Sequence, residues 1–458
     1  LAFDPTLAEF RFGTGRSPRL EAPASVDAML SALTRADSMV RVFPVPPFSS
    51  IAEDARRHQS LQRAIRRNEG DVESQKEEFK KLRSRFSARK WRYAARQLAR
   101  GLETEDGFRE RLVAFWADHF TVVSKSFVTR PAVSMFIDEA IRPHVAGRFA
   151  DLLRAATLHP MMLFYLDQTR SVGPNSPFAK GKPNRGLNEN LAREVLELHS
   201  LGVDGAYGQD DVRQLAELFA GLGGNVPDGF KYFERRGEPG PEYVLGRAFG
   251  RRKPKIEDVH EVLDTLATHP DTAAHVARKL AVHFFSDTPD PDLVAALETR
   301  FLETGGDLTS VYAALLEHPT AFSRPMRKVR RPVEFIVAGL RALGMRGKTL
   351  TNLTPKRFRQ LVTTPAQLMG QTWQTPTGPD GWPEDTGHWI TPQGLAARID
   401  WAMGVQGASE LELSDPRDFV DVALGSLASE RTLFAAGAAE TRGDGIGLVL
   451  SSPEFQRR

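Results

Sequence analysis

The sequence predicts a predominantly α fold: a multi-helix bundle with a small β-hairpin insert and an irregular Trp/Pro/Gly-rich segment. Three observations carry that expectation. Apolar residues recur at helical spacing along most of the chain. Only one stretch, 230–248, has two aromatic or β-branched runs flanking a turn, Gly237-Glu238-Pro239-Gly240. A third stretch, Gln371 to Pro392, is too rich in Trp, Pro and Gly for either period and separates off the last helices. At 458 residues with 41% hydrophobic side chains, the chain can bury a large core and reads as one body spanning 1–458. It has no run of about 18 apolar residues that could cross a bilayer. It also has no cysteine, which excludes disulfide scaffolds, thiolate metal sites and cysteine nucleophiles. Any chemistry must rest on carboxylates, imidazoles and basic side chains.

The elements follow in order. Leu1 to Phe10 has no basic stretch leading into an apolar one, so no signal peptide is visible and the cytoplasm is favoured over the periplasm. After a Pro-rich break at 44–50, helical patterns cover 53–69, 76–101, 107–120, 131–146 and 148–158. The segment 53–101 makes the protein basic: between Glu53 and Arg100, 15 Lys/Arg stand against 7 Asp/Glu, while the whole chain carries only +3. Clustered Arg with interleaved aromatics could meet nucleic acid, but long Arg stems covering an amphipathic helix account for the pattern, and nucleic acid is not an expected partner. The central region 107–229 holds the candidate site, 230–250 the hairpin insert, 257–370 further helices, and 371–458 the Trp-rich loop and C-terminal helices. Three helices run into His-Pro, at His159, His269 and His318. Proline there stops one helix or starts the next, with His expected at the negative C-terminal end of the dipole.

The densest polar constellation is Asn188 to His199, with Asn188 placed to cap a helix and Gly202 to stop it. At about 100° per residue, Asn190, Glu194 and Glu197 share one face with Arg193 beside them, and His199 points to the apolar side. Two carboxylates on one face suit acid/base catalysis or ligation of a hard divalent metal. The plain alternative is an exposed charged face with Glu–Arg pairing. We therefore take Glu194 and Glu197 as candidate catalytic carboxyls, Arg193 and Asn190 as orienting groups, and His119, His199, Glu194 and Glu197 as a candidate metal set. His119, His199 and His283 all lie in apolar stripes, where a histidine is ordinarily a satisfied core residue; if the three met, they would form a metal or haem site. The loop before the helix carries Arg170, Lys180, Lys182 and Arg185, a candidate anion site near a helix N-terminus. No phosphate loop, nucleophile elbow or dinucleotide fingerprint occurs.

Several segments together resemble a known bacterial family: Arg11-Phe12-Gly13 with Gly15, the run Arg111 to Val122, Asn188 to Gly205, Arg278-Lys279-Leu280 with His283-Phe284, Gly381-Trp382-Pro383, and Ser452 to Gln456. The family is that of domain of unknown function 1800, and the likeness spans nearly the whole chain. It implies a largely helical protein, often exported in longer members and frequently encoded beside a phosphatase/sulfatase-like protein, which is the expected partner; it brings no reaction. Members usually show His-Asp-x-Gly and a Lys in the hairpin where this chain has Gly237 to Gly240 and Glu242, and Thr-Gly-Trp where it has Ala220-Gly221-Leu222. The two functions to be weighed are an enzyme with a carboxylate/histidine site on the Asn188–His199 helix, and a non-catalytic binding or scaffold protein using its basic helices.

Overall fold

The computed structural model describes residues 2–180, 186–409 and 411–458. Helix makes up 62% of it, and the helices start where the sequence supplies caps. Asp71 accepts from the Ser74 N–H and Asp106 from the Arg109 N–H, opening Val72–Glu103 and Gly107–His119. The first long pair, Ala52–Arg67 and Val72–Glu103, is a helical hairpin turned by Asn68 in the left-handed region. Along it Leu61, Leu82 and Phe86 are buried, while Arg85 and Arg89 both reach Asp54 at 2.7 Å. Two of its arginines thus share one carboxylate, and the segment keeps its net positive charge. The pattern 131–146 is less regular than its sequence suggests, running through Ala132–Phe136, a π-helical stretch Ile137–Ile141 and a short 3-10 turn.

Gly107–His119 runs through the core: Trp116 Nε1 donates to the Tyr312 hydroxyl at 2.6 Å, and Phe108 meets Phe12, Phe284 and Tyr312. Around it, Pro270–Phe284 packs on Pro291–Thr304, which packs on Leu308–Glu317. The C-terminal helices gather on Arg442–Ser451, where Gly447 permits the approach of Pro392–Ser409; a Cβ there would lie 2.4 Å from Met403 Sδ. Buried arginines bracket the chain by satisfying carbonyls. Arg11 donates to the carbonyls of Ala321 and Ser323, and Arg341 to those of Gly15 and Gly101.

Two readings need correction. The 230–248 stretch is not one hairpin about Gly237 to Gly240. Strand β1 (Leu222–Asn225) pairs with β2 (Gly229–Tyr232), and β3 (Glu242–Val244) with β4 (Arg247–Phe249), both antiparallel. Each tight turn lies elsewhere. Asn225 Oδ1 accepts from the Asp228 N–H at 2.9 Å, and Leu245-Gly246 takes two positive φ angles, as a two-residue hairpin turn requires. The Gly-Glu-Pro-Gly stretch instead docks on the 173–178 loop, where the Glu238 carboxylate accepts from the backbone and side chain of Asn175. Second, His159 and His269 act at helix starts. Their Nδ1 atoms accept from the Met161 and Asp271 N–H groups, so each imidazole is an N-cap acceptor for the helix after its proline.

Candidate functional site

The site helix has two halves, α-helical Asn190–Glu194 and π-helical Val195–His199. Asn188 starts it: its Oδ1 accepts from the Asn190 N–H at 2.9 Å while its Nδ2 donates to the Leu166 and Asp167 carbonyls at 3.2 and 3.0 Å. Gly202, at φ 89°, follows its end. Leu191, Ala192, Val195 and Leu196 are fully buried. Asn190 is exposed, and Arg193, Glu194 and Glu197 are half-buried, so the polar face read from the sequence is the outward one. Arg193 pairs with Glu189 at 3.2 Å and donates to Gln209 at 3.0 Å. It acts on Glu194 only from a distance.

Burial pushes the Glu194 carboxyl up to about 7, the Glu197 charge adds to this, Asp380 adds a little more, and Arg193 opposes it. The same charges reach two phenols. Burial raises Tyr165, with Glu194 and Asp380 contributing; burial raises Tyr207, with Glu197 adding to it and Arg193 opposing. Glu194, Glu197, Tyr165, Tyr207 and Asp380 therefore form one electrostatically coupled group, with the Trp-rich segment supplying its far side. Lys279 lies deeper. Burial lowers its ammonium while Asp118, Glu384 and Asp380 pull it up.

Behind the helix the imidazoles meet, though not as the sequence implied. His119 stands 6.2 Å from His199 and 6.0 Å from His275, ring centre to ring centre. The third member is His275, not His283. His119 Nε2 donates to the His199 carbonyl and His275 Nε2 to the Leu198 carbonyl, both at 3.2 Å, so two imidazoles satisfy the last carbonyls of the site helix. Burial and the nearby Lys279 charge depress all three rings, His199 to about 3 and His275 to about 4. They are neutral at pH 7. Among the described residues no three His, Asp or Glu side chains converge as a metal site, so the set His119, His199, Glu194 and Glu197 is not assembled: the His119 ring is engaged by the His199 carbonyl, the His199 ring is buried, and the carboxyls face outward. Of the candidate anion site, Arg170 and Lys180 are exposed on the loop; Lys182 and Arg185 lie outside the described residues.

His283 belongs to a separate buried ionic network that sequence reasoning missed. Its Nδ1–H donates to Glu384 Oε1 at 2.7 Å, leaving Nε2 to accept from Arg111 Nη2 at 3.4 Å. Arg331 bridges Asp118 and Glu384, each at 2.7 Å, and Glu334 lies between Arg111 at 2.8 Å and Arg458 at 3.0 Å. Lys328 adds Asp287 at 2.7 Å. Burial alone would raise the carboxyls of Glu334 and Glu384, but the surrounding cations hold both well below the ordinary range. Gly381 lets the Trp-rich loop join. A Cβ there would sit 2.6 Å from the Asp118 carbonyl oxygen, and φ is 83°, so only glycine lets the Trp382 N–H reach Asp118 Oδ1 at 2.9 Å. The available signal was ionisable residues inside apolar runs: Arg111, His283 and the Lys328 to Arg331 cluster.

The fold and the site define a helical protein that holds a half-buried carboxylate pair beside a charge-balanced core network. The chain matches the family model described as protein of unknown function (DUF1800) over residues 10–457, and it belongs to that family. No curated protein and no solved structure matches it.

Proposed function

We propose that the outer face of the site helix is the acid–base centre of an enzyme. The observation that supports this best is the Glu194–Glu197 pair: two carboxyls on adjoining turns of a half-buried helix, one of them raised to about 7. A carboxyl that exchanges its proton near neutral pH can donate to a leaving group and take the proton back in one cycle, with the Glu197 carboxyl one turn away on the same face. Arg193 and Asn190 border the face, and Tyr165 and Tyr207 offer hydroxyls to a bound substrate. The reaction class that fits is hydrolysis or proton transfer at a polar substrate. The test is turnover of chromogenic glycoside, phosphate-ester and acyl-ester panels by wild type, Glu194→Gln and Glu197→Gln. Activity that falls at least about a hundredfold in Glu194→Gln supports the assignment, and an active enzyme indifferent to both changes overturns it.

A second reading, a scaffold for a phosphatase/sulfatase-like partner, draws on one surface feature. The guanidiniums of Arg83 and Arg130 lie 3.6 and 3.8 Å from the centre of the Phe127 ring. Arg85 and Arg89 are engaged by Asp54, so Arg83 and Arg130 with Lys90 are the cations to reverse in a pull-down with that partner. An unchanged yield after reversal would remove this surface from consideration.

A further inference from the structure

A cavity of about 240 Å³ opens beside the Gly107–His119 helix, along the side that carries Arg111, Ala114, Asp118 and Thr121 and away from the site helix. Its walls are apolar: Leu98, Val133, Phe136, Ile137, Val337 and Trp373. Gln374, Pro376 and Trp382 from the irregular segment close over it, and the Gln374 amide is tied down through Gln97 and Ser134. A small, mostly apolar cleft with a few placed polar groups is the form that small-molecule sites take.

The charges in its lining are uneven. Glu110 is paired with Arg142, Asp118 with Arg331, and Glu334 with Arg111. That leaves Arg330, which lines the same cavity and is 2% exposed. It forms no ion pair among the described residues. Its Nε donates to the Arg457 carbonyl, its guanidinium lies 4.4 Å from the Phe10 ring centre, and its Nη2 has no hydrogen-bond partner. Burial, with Arg111 pushing the same way and Glu334 and Glu9 opposing, brings it down to about 9. Glu334 and Glu9 offset its charge only from beyond ion-pair distance, so an anion bound in direct contact adds a closer counter-charge to a buried cation. Trp373 Nε1 is a second buried donor with no partner.

We propose that this cavity binds a small, largely apolar carboxylic acid, with its carboxylate on Arg330 and its apolar body against Val133, Phe136 and Val337. A guanidinium in the lining with no ion-pair partner among the described residues favours a negatively charged group, and the volume selects a molecule of modest size. The site is separate from the Glu194–Glu197 face and does not depend on it.

The test is titration calorimetry of the full chain with octanoate and 4-phenylbutyrate against their primary amides. Each acid is expected to bind at least about tenfold more tightly than its amide, because only the acid neutralises Arg330. Ala114→Phe, at an exposed position in the lining, should abolish binding, and Arg330→Gln should erase the preference for acid over amide. Equal binding of acid and amide to wild type, binding that survives Ala114→Phe, or no saturable binding up to about 10 mM would each overturn the proposal. If Arg330→Gln does not fold, the wild-type preference and its loss in Ala114→Phe still decide the matter.

Discussion

Replacing Glu194 by Gln should stabilise the protein at pH 8 and leave it unchanged at pH 4. The carboxyl is raised from 4.5 to about 7, so between those values the folded chain holds a proton that the unfolded chain has released. Folding stability therefore falls as pH rises through this window and stays lower above it. The full shift corresponds to about 3 kcal/mol, but the side chain is only half-buried, and solvent screening reduces the expected effect to about 1–2 kcal/mol. Gln keeps the shape and cannot ionise. In a chain of this size the gain appears as a rise of about 1–2 °C in the midpoint of thermal unfolding. The assay is a series of melts of wild type and Glu194→Gln from pH 4 to 8.5, with the difference plotted against pH. A difference that is flat across this range, or that favours wild type at pH 8, would refute the reasoning.

The neighbouring groups give opposite or larger effects. His275 is depressed from 6.5 to about 4, so its contribution is present above pH 6.5 and is lost as pH falls toward 4; His275→Gln should melt about 1–3 °C above wild type at pH 4.5 relative to their difference at pH 7.5. Asp118→Ala strands Arg331 on one side and removes the acceptor of the Trp382 N–H; urea titration should show a loss of about 3–5 kcal/mol. Gly381→Ala places a methyl against the Asp118 backbone at a left-handed φ, and should cost about 2 kcal/mol or more, visible as a changed tryptophan emission from the loop. Asn188→Ala removes the helix cap together with two tertiary donors and should lower stability by about 1–2 kcal/mol in the same urea assay.

Local signals in the sequence were read correctly where the structure is local. Asn188 and Gly202 flank the site helix, whose terminal positions are Glu189 and Ser200, with the Asn188 side chain accepting from the Asn190 N–H, and the outward face of Glu194 and Glu197 follows from helical spacing. The π-turn at Val195–His199 is not written in spacing and alters how the two carboxyls approach. Pairing across distance was not legible. Phe230 to Tyr232 could join a strand on either side, and the Asn225–Asp228 turn decided for the earlier one. His275, the ring that joins His119, is distinguished from His283 only by the tertiary position of its helix face. The cavity was invisible for the same reason, since Arg111, Arg330 and Trp373 come from distant parts of the chain. The basic surplus of 53–101 was read correctly as charge, and the structure adds that Asp54 takes up two of its arginines.

The account rests on one carboxyl exchanging its proton near neutrality. Titration of the Glu194 side-chain carboxyl by carbon-13 NMR, assigned by comparison with Glu194→Gln, measures this directly. The midpoint should fall near 7 in wild type, and it should drop by about one unit in Glu197→Gln, the size expected for removing a like charge about 6 Å away across a solvent-screened face. A wild-type midpoint between 4 and 5, the ordinary range for glutamate, would contradict the acid–base assignment.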